Sequence, residues 1–196
     1  MLPHYDLLCI TETWLNDKID NSELGLFKDY YAFRADRTLF SSVKGSGGGV
    51  ILAVNKKFNC VQLTGDNSID QVFVKIWLKD FCMLVGLLYI PPLSPLEKYI
   101  SAYDLIQELV VGDFDDILIL GDFNLPGYLW YDTHDHSYMS GSNLNWVVRE
   151  AAQHMNNFCE IFKFHQLNKN LNGRGNVLDL VLSNKKIVNV NTRLGL

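Results

Sequence analysis

Asp122 and Asn124 stand two residues apart, directly after Ile117-Leu118-Ile119-Leu120-Gly121. Four consecutive apolar residues predict a strand buried on both faces. A carboxylate at the end of such a strand is held by the rigid sheet, and Asn124, two residues on, can point the same way. Asp122 can then bind a metal or take a proton from water, and Asn124 can donate a hydrogen bond to a phosphate oxygen. Gly, Asp and Asn also favour turns, so the same stretch reads equally as a strand ending in a plain turn. Three further residues carry comparable chemistry. Glu12 follows the apolar run 6–11 and can ligate Mg²⁺, which takes a few carboxylates plus waters; the alternative is a surface Glu opening a loop. Asp179 lies inside the apolar run 177–183, where a charge is costly unless paired or metal-bound. Tyr89 sits near the end of the run 82–90, which Pro91 and Pro92 force out of any ladder. Its hydroxyl can reach a phosphate oxygen, or it is a half-buried strand aromatic.

The elements that must position these residues are legible in part. Buried strands are predicted over 6–11, 49–54 and 82–90, and an extended segment over 30–37 ends in charge. There Arg34 and Arg37 can meet phosphates or join an Arg–Asp surface network. Residues 71–78 alternate, with Val72, Val74, Ile76 and Leu78 on one face, and the short link 79–81 predicts a hairpin to the next strand. One helical turn is predicted within 21–26. The Gly/Ser-rich loop 42–49 lacks Gly-Lys-Ser/Thr and precedes a strand, which excludes a nucleotide-binding loop. Ser94-Pro95-Leu96-Glu97 reads as a capping box with Pro at the first helical position, opening a helix to about residue 110 whose core stripe is Tyr99, Tyr103, Ile106 and Val110. A loop is predicted over 125–140. Its His134 and His136 lack a third and fourth metal ligand and read as solvated, and Trp130 and Tyr131 either stack on DNA or cover the core. A second helix starts at Ser142, with Leu144, Val148, Ala151, Met155, Phe158 and Phe162 as its core face. A polar turn-like stretch over 165–176 leads to strands over 177–183 and 187–192. This order predicts an α/β sandwich: two packed, mostly antiparallel sheets with helices outside.

A length of 196 residues predicts one domain, residues 1–196. A hydrophobic share of 48% and a charged share of 20% exclude disorder. No apolar run approaches the ~20 residues of a membrane helix, and no basic-then-apolar leader opens the chain. Cys9, Cys60, Cys82 and Cys159 are scattered and read as reduced packing residues of an intracellular protein. A net charge of −5 argues against a broad basic footprint for nucleic acid, but permits a nuclease whose metal ions neutralise phosphate locally.

Gly121-Asp122-Phe123-Asn124, with Glu12 in Ile10-Thr11-Glu12-Thr13-Trp14-Leu15 and Asp179 in Leu178-Asp179-Leu180-Val181-Leu182-Ser183, resembles the endonuclease/exonuclease/phosphatase superfamily. Within it, the chain resembles the endonuclease domain of non-LTR (LINE-like) retrotransposons, a relative of the apurinic/apyrimidinic endonucleases. The resemblance runs from about residue 6 to about residue 184, with the motifs in the family's order. It implies a four-layered α/β/β/α sandwich of the DNase I-like type and a phosphodiesterase, dependent on Mg²⁺ or Mn²⁺, that nicks DNA. Glu12 and Asp122 would hold the metal, and Asp122 would also orient and deprotonate water. Asn124 and Tyr89 would contact the scissile phosphate, Asp179 would position a catalytic His, and the glycine run before residue 50 would be scaffold. The implied partners are DNA and, in an intact parent protein, a reverse transcriptase domain; the implied location of that parent is the nucleus. The family's first-strand Asn and closing Ser-Asp-His motif have no counterpart here, so the domain is expected to be incomplete at its N- and C-terminal strands. Three readings follow: a nuclease, a catalytically inactive remnant that binds metal or DNA without cutting, and a small-molecule phosphatase of the same fold.

Overall fold

The computed structural model describes residues 5–26, 28–38, 47–63 and 69–186. The apolar runs become strands β1 (Leu7–Thr11), β2 (Tyr30–Ala35), β3 (Val50–Asn55), β4 (Asn59–Leu63), β5 (Asp70–Trp77), β6 (Cys82–Tyr89), β7 (Asp116–Asp122), β8 (Tyr128–Asp132), β9 (Ser137–Gly141), β10 (His165–Gln166) and β11 (Asp179–Ser183). The helices are α1 (Leu96–Val110) and α2 (Trp146–Phe162), and a 3-10 turn covers Asn21–Leu24. Strands β1-β3-β2 form a small antiparallel sheet, and β10-β11-β7-β6-β5-β4 form a large one. Only β6 and β7 pair parallel among the strands of the large sheet. A parallel pair needs a crossover, and α1 supplies it.

The two sheets pack face to face. Val50, Leu52 and Val54 of β3 meet Val72, Val74 and Ile76 of β5 and Val85, Leu87 and Tyr89 of β6. The opposite face of the large sheet, with Phe73, Leu84, Leu88, Ile119, Leu180 and Leu182, lies under α1, α2 and the β8–β9 hairpin. This explains why β5 is buried on both sides almost to its end, beyond the one-sided alternation its sequence predicts. The outer face of the small sheet buries Ile51 and Ala53 against Leu26 and Tyr30, with Leu15 and Leu24 packed beside them. The layers are those of the expected mixed α/β sandwich, with the 3-10 turn and its flanks standing over the small sheet.

Several local expectations change. The loop predicted over 125–140 contains the β8–β9 hairpin, with His134 fully exposed at its tip and Trp130 buried. The helix predicted from Ser142 begins at Trp146, and Leu144, expected in its core face, is fully exposed. Ser94 does not cap α1. Pro95 occupies the N-cap, which has no side-chain cap bond, and the Ser94 hydroxyl donates to the Pro91 carbonyl at 2.8 Å. Strand β1 is a half-buried edge of the small sheet rather than a fully buried strand. The strand predicted over 187–192 lies outside the described residues.

Asn145 is the working cap of α2: its side chain accepts from the Val147 amide at 2.9 Å. Asn145→Ala is expected to cost about 1 kcal/mol, a fall in Tm of about 2–4 °C for a chain of this size. A thermal melt followed by circular dichroism checks it.

Candidate active site

Strand register brings four polar residues into one row. Asp70 pairs with Tyr89 across β5–β6, Tyr89 with Asp122 across β6–β7, and Asp122 with Asp179 across β7–β11. Side chains alternate along a strand. Val72 and Leu87, two residues from Asp70 and Tyr89, face the small sheet, and Leu120, two residues from Asp122, packs on the same cluster. Leu180, next to Asp179, faces the helices instead. All four row residues therefore share the face that looks into the gap between the sheets, at the end where β6 and β7 finish. Glu12 reaches the same end from the small sheet, one residue past β1. The Tyr89 hydroxyl bridges the sheets by donating to Glu12 Oε1 at 2.6 Å.

Gly121 makes the exit of β7 possible. Its φ is 144°, and a Cβ there would stand 1.9 Å from the Leu88 carbonyl oxygen. The turn that follows is held from several sides. The Asn124 amide donates to Asp122 Oδ1 at 3.0 Å, Asn124 Nδ2 to the Ile90 carbonyl at 2.8 Å, and Tyr99 Oη to the Asn124 carbonyl at 3.2 Å. Glu12, Trp14, Leu93 and Asn124 all have positive φ, between 47° and 59°. Non-glycine residues seldom adopt this conformation, and such strain clusters at functional sites. Trp14 is 71% exposed at the rim. A cavity of about 440 Å³ opens beside Asn124, with Pro92, Pro126, Arg174 and Leu178 in its wall.

The electrostatics follow from this crowding. Burial, and then the negative charges of Asp179 and Glu12, push the Asp122 carboxyl up to about 6, against the opposing pull of the Asn124 hydrogen bonds. Asp179 is also raised, by partial desolvation and by Glu12. The Tyr89 hydroxyl is pushed far up by burial and by its bond to Glu12. Asp122 is thus a carboxylate that binds a proton near neutrality, the property a general base needs. Its sign for folding is definite. A carboxyl raised from about 3.9 in the unfolded chain to about 6 in the fold favours the folded state fully below about pH 4 and loses that contribution as pH rises through about 6. In EDTA, Asp122→Asn is therefore expected to be about 1–2 kcal/mol more stable than wild type at pH 8, after discounting for the side chain's partial exposure. The difference should vanish at pH 4, as urea denaturation at the two pH values would test.

Glu12, Tyr89, Asp122 and Asn124 are thus gathered at one end of the sheet gap. Asp179 joins them by a different route: it opens β11 as an exposed residue instead of lying inside a buried run. Its backbone carbonyl accepts from Asn168 Nδ2 at 2.7 Å. Arg34 and Arg37 pair with Asp36 and Asp70, so both belong to Arg–Asp networks. The sequence reading missed Asp70, starting its strand at 71; the apolar Ile69 before it was the available signal. Among the described residues no three His, Cys, Asp or Glu side chains converge as a ready-made metal cage. Mg²⁺ does not require one: it keeps several waters and is commonly held by one or two carboxylates. Asp179 and Glu12 raise the proton affinity of Asp122, and Glu12 that of Asp179, a build-up of negative charge that a hydrated divalent cation would relieve.

Residues 1–146 match the family described as the Endonuclease/Exonuclease/phosphatase family. No curated protein matches the chain. Among solved structures, the fold is similar to the endonuclease domain of TRAS1, a telomere-specific non-LTR retrotransposon, at 14% identity and a TM-score of 0.51, covering 78% of this chain and 64% of that one. It is similar to an AP endonuclease from Archaeoglobus fulgidus at 13% identity and a TM-score of 0.52, covering 91% and 76%. A third similar structure is the 3′ phosphatase NExo from Neisseria bound to a product DNA hairpin, at 11% identity and a TM-score of 0.51, covering 91% and 76%. At these identities the likeness is one of fold. The chain spans just under two thirds of the length of the TRAS1 domain it matches.

Proposed function

Because the chain belongs to the endonuclease/exonuclease/phosphatase family, we propose that its site hydrolyses phosphodiesters in DNA, as an endonuclease of the non-LTR retrotransposon type. The observation that carries the reading is the row that holds Asp122, raised to about 6, between Tyr89 and Asp179 and opposite Glu12. The family is generally dependent on divalent metal. Glu12 and Asp122 are the side chains that would hold Mg²⁺ or Mn²⁺, and the bound ion would supply Lewis-acid stabilisation of charge developing on the phosphoryl oxygens.

The chain's own residues do the remainder. Asp122 accepts the proton of the attacking water at its carboxylate. Asp179, across the β7–β11 register, keeps the proton affinity of Asp122 high through its charge. Asn124 spends one Nδ2 proton on Ile90 and offers the other to a phosphate oxygen. Tyr89 orients Glu12 through its hydroxyl and donates to phosphate when Glu12 turns to a cation. The cavity beside Asn124, with Arg174 in its wall, suits a nucleotide flanking the scissile bond. In an intact parent protein the natural partner of such an activity is a reverse transcriptase domain, which would extend the nicked end.

A second reading, a protein that binds DNA or cation without cutting, is favoured by one observation: no three metal-ligating side chains converge among the described residues. Nicking of supercoiled plasmid by the purified protein decides between them. Open-circle product in Mg²⁺ or Mn²⁺ that disappears in EDTA supports the nuclease. Intact plasmid from a folded protein supports the second reading.

A further inference from the structure

We propose that Arg37 and Asp70 are positioning residues for Tyr89 and, through it, for Glu12 until a cation draws Glu12 away. This deepens the phosphodiesterase reading and rests on it for its activity readout. Arg37 Nε and Nη2 both donate to Asp70 Oδ2, at 3.0 and 2.7 Å, and the Gly49 amide donates to the same oxygen at 3.0 Å. The two side chains are 8% and 1% exposed. The guanidinium carbon lies 5.1 Å from the centre of the Tyr89 ring, and Asp70 is the register partner of Tyr89.

A buried ion pair is weak evidence for stability, because desolvation offsets the attraction. This one is further weakened: Asp70 Oδ1 is buried with no hydrogen-bond partner. What the pair does achieve is geometric. Two guanidinium donors on an oxygen that the Gly49 amide also holds keep the guanidinium over the Tyr89 ring, and arginine offers such a planar fork where lysine does not. The floor beneath the guanidinium is backbone. A Cβ on Gly48, at a φ of 62°, would stand 2.1 Å from Arg37 Nη2, so a side chain there would displace the guanidinium. The same floor ties down the loop that carries Glu12: the Trp14 amide donates to the Gly48 carbonyl at 2.8 Å and the Thr13 amide to Gly49 at 3.2 Å. With its ring held, Tyr89 points its hydroxyl at Glu12 Oε1. The direction of a residue at the reacting centre is thereby set by a pair that does not reach it.

The test is plasmid nicking in Mg²⁺ by Arg37→Lys, which keeps the charge beside Asp70 and loses the planar fork, in wild-type and Tyr89→Phe backgrounds. Arg37→Lys is expected to lower kcat on the order of tenfold with KM for DNA changed less than about twofold. In the Tyr89→Phe background the added loss should fall below about twofold, the non-additivity of residues acting as one unit. A full tenfold loss persisting without the Tyr89 hydroxyl, or a loss confined to KM, overturns the proposal. If the wild type does not nick, the functional reading fails by itself. The positioning role is then read by NMR on ¹³C-tyrosine-labelled protein. Tyr89 ring signals, assigned from Tyr89→Phe, should move in Arg37→Lys while those of Tyr128 stay in place; unmoved Tyr89 signals overturn it.

Discussion

Asp122→Ala is expected to lower the rate of plasmid nicking by at least about 10³-fold, while binding of uncleaved DNA changes by less than about threefold. The size follows from what one carboxylate does in this site. Loss of a general base removes about 10²–10⁴-fold in rate, and the same deletion takes away one of the two proposed cation ligands. At 1.36 kcal/mol per tenfold, 10³ corresponds to about 4 kcal/mol of transition-state stabilisation. Asp122→Asn separates chemistry from folding: it should be as inactive as the alanine variant yet more stable than wild type at pH 8, because the raised carboxyl opposes folding at that pH. Single-turnover nicking beside urea denaturation of both variants is the measurement. An Asp122→Asn protein that still nicks within tenfold of wild type would remove Asp122 from the base role.

The largest structural effect is expected at Gly121. Alanine there places a Cβ 1.9 Å from the Leu88 carbonyl oxygen, on backbone that cannot swing aside, at a φ of 144°. Gly121 and Leu88 are register partners in the parallel pairing of β6 with β7, so relief would part the strands that carry Tyr89 and Asp122. We expect Gly121→Ala to cost on the order of 4 kcal/mol, against a total domain stability of about 5–15 kcal/mol. The control is Gly173→Ala, where an added Cβ meets nothing within 4 Å; its unfolding midpoint should lie within about 0.5 kcal/mol of wild type. Guanidinium unfolding of the two variants makes the comparison, with an equal loss in both refuting the steric account.

Legibility in the sequence divides along the range of the interactions. The Tyr99-Tyr103-Ile106-Val110 stripe of α1 and the run 117–120 are local patterns: the stripe folds as its spacing predicts, and the run becomes β7, with Ile117 and Ile119 buried but Leu118 and Leu120 half-buried rather than buried on both faces. The hairpin over 128–141 was obscured by its composition, since Tyr128, Trp130 and Met139 turn inward among polar neighbours. Asp70 stands just outside the alternating run 71–78, although β5 begins with it. Its near-complete burial depends on Arg37, 33 residues away, which no local pattern can show. Asp179 misled in the opposite direction. Its apolar neighbours read as a buried strand around a charge, whereas β11 begins at Asp179 itself and leaves it exposed. Motifs single out Glu12, Asp122 and Asn124, but the row that aligns Asp122 with Tyr89 and Asp179 is a property of register, which emerges only when two pairings are made together.

That row also sets when the proposed site can first form. Its members come from strands distant in sequence, and pairings that close long loops form slowly. Helix α1 and the β5–β6 hairpin can form while later segments are absent, yet neither contains Asp122 beside Asp179. In refolding, cleavage should therefore return with the last and slowest phase, well after most helical signal. During synthesis, the row stays incomplete until β11 has left the ribosome.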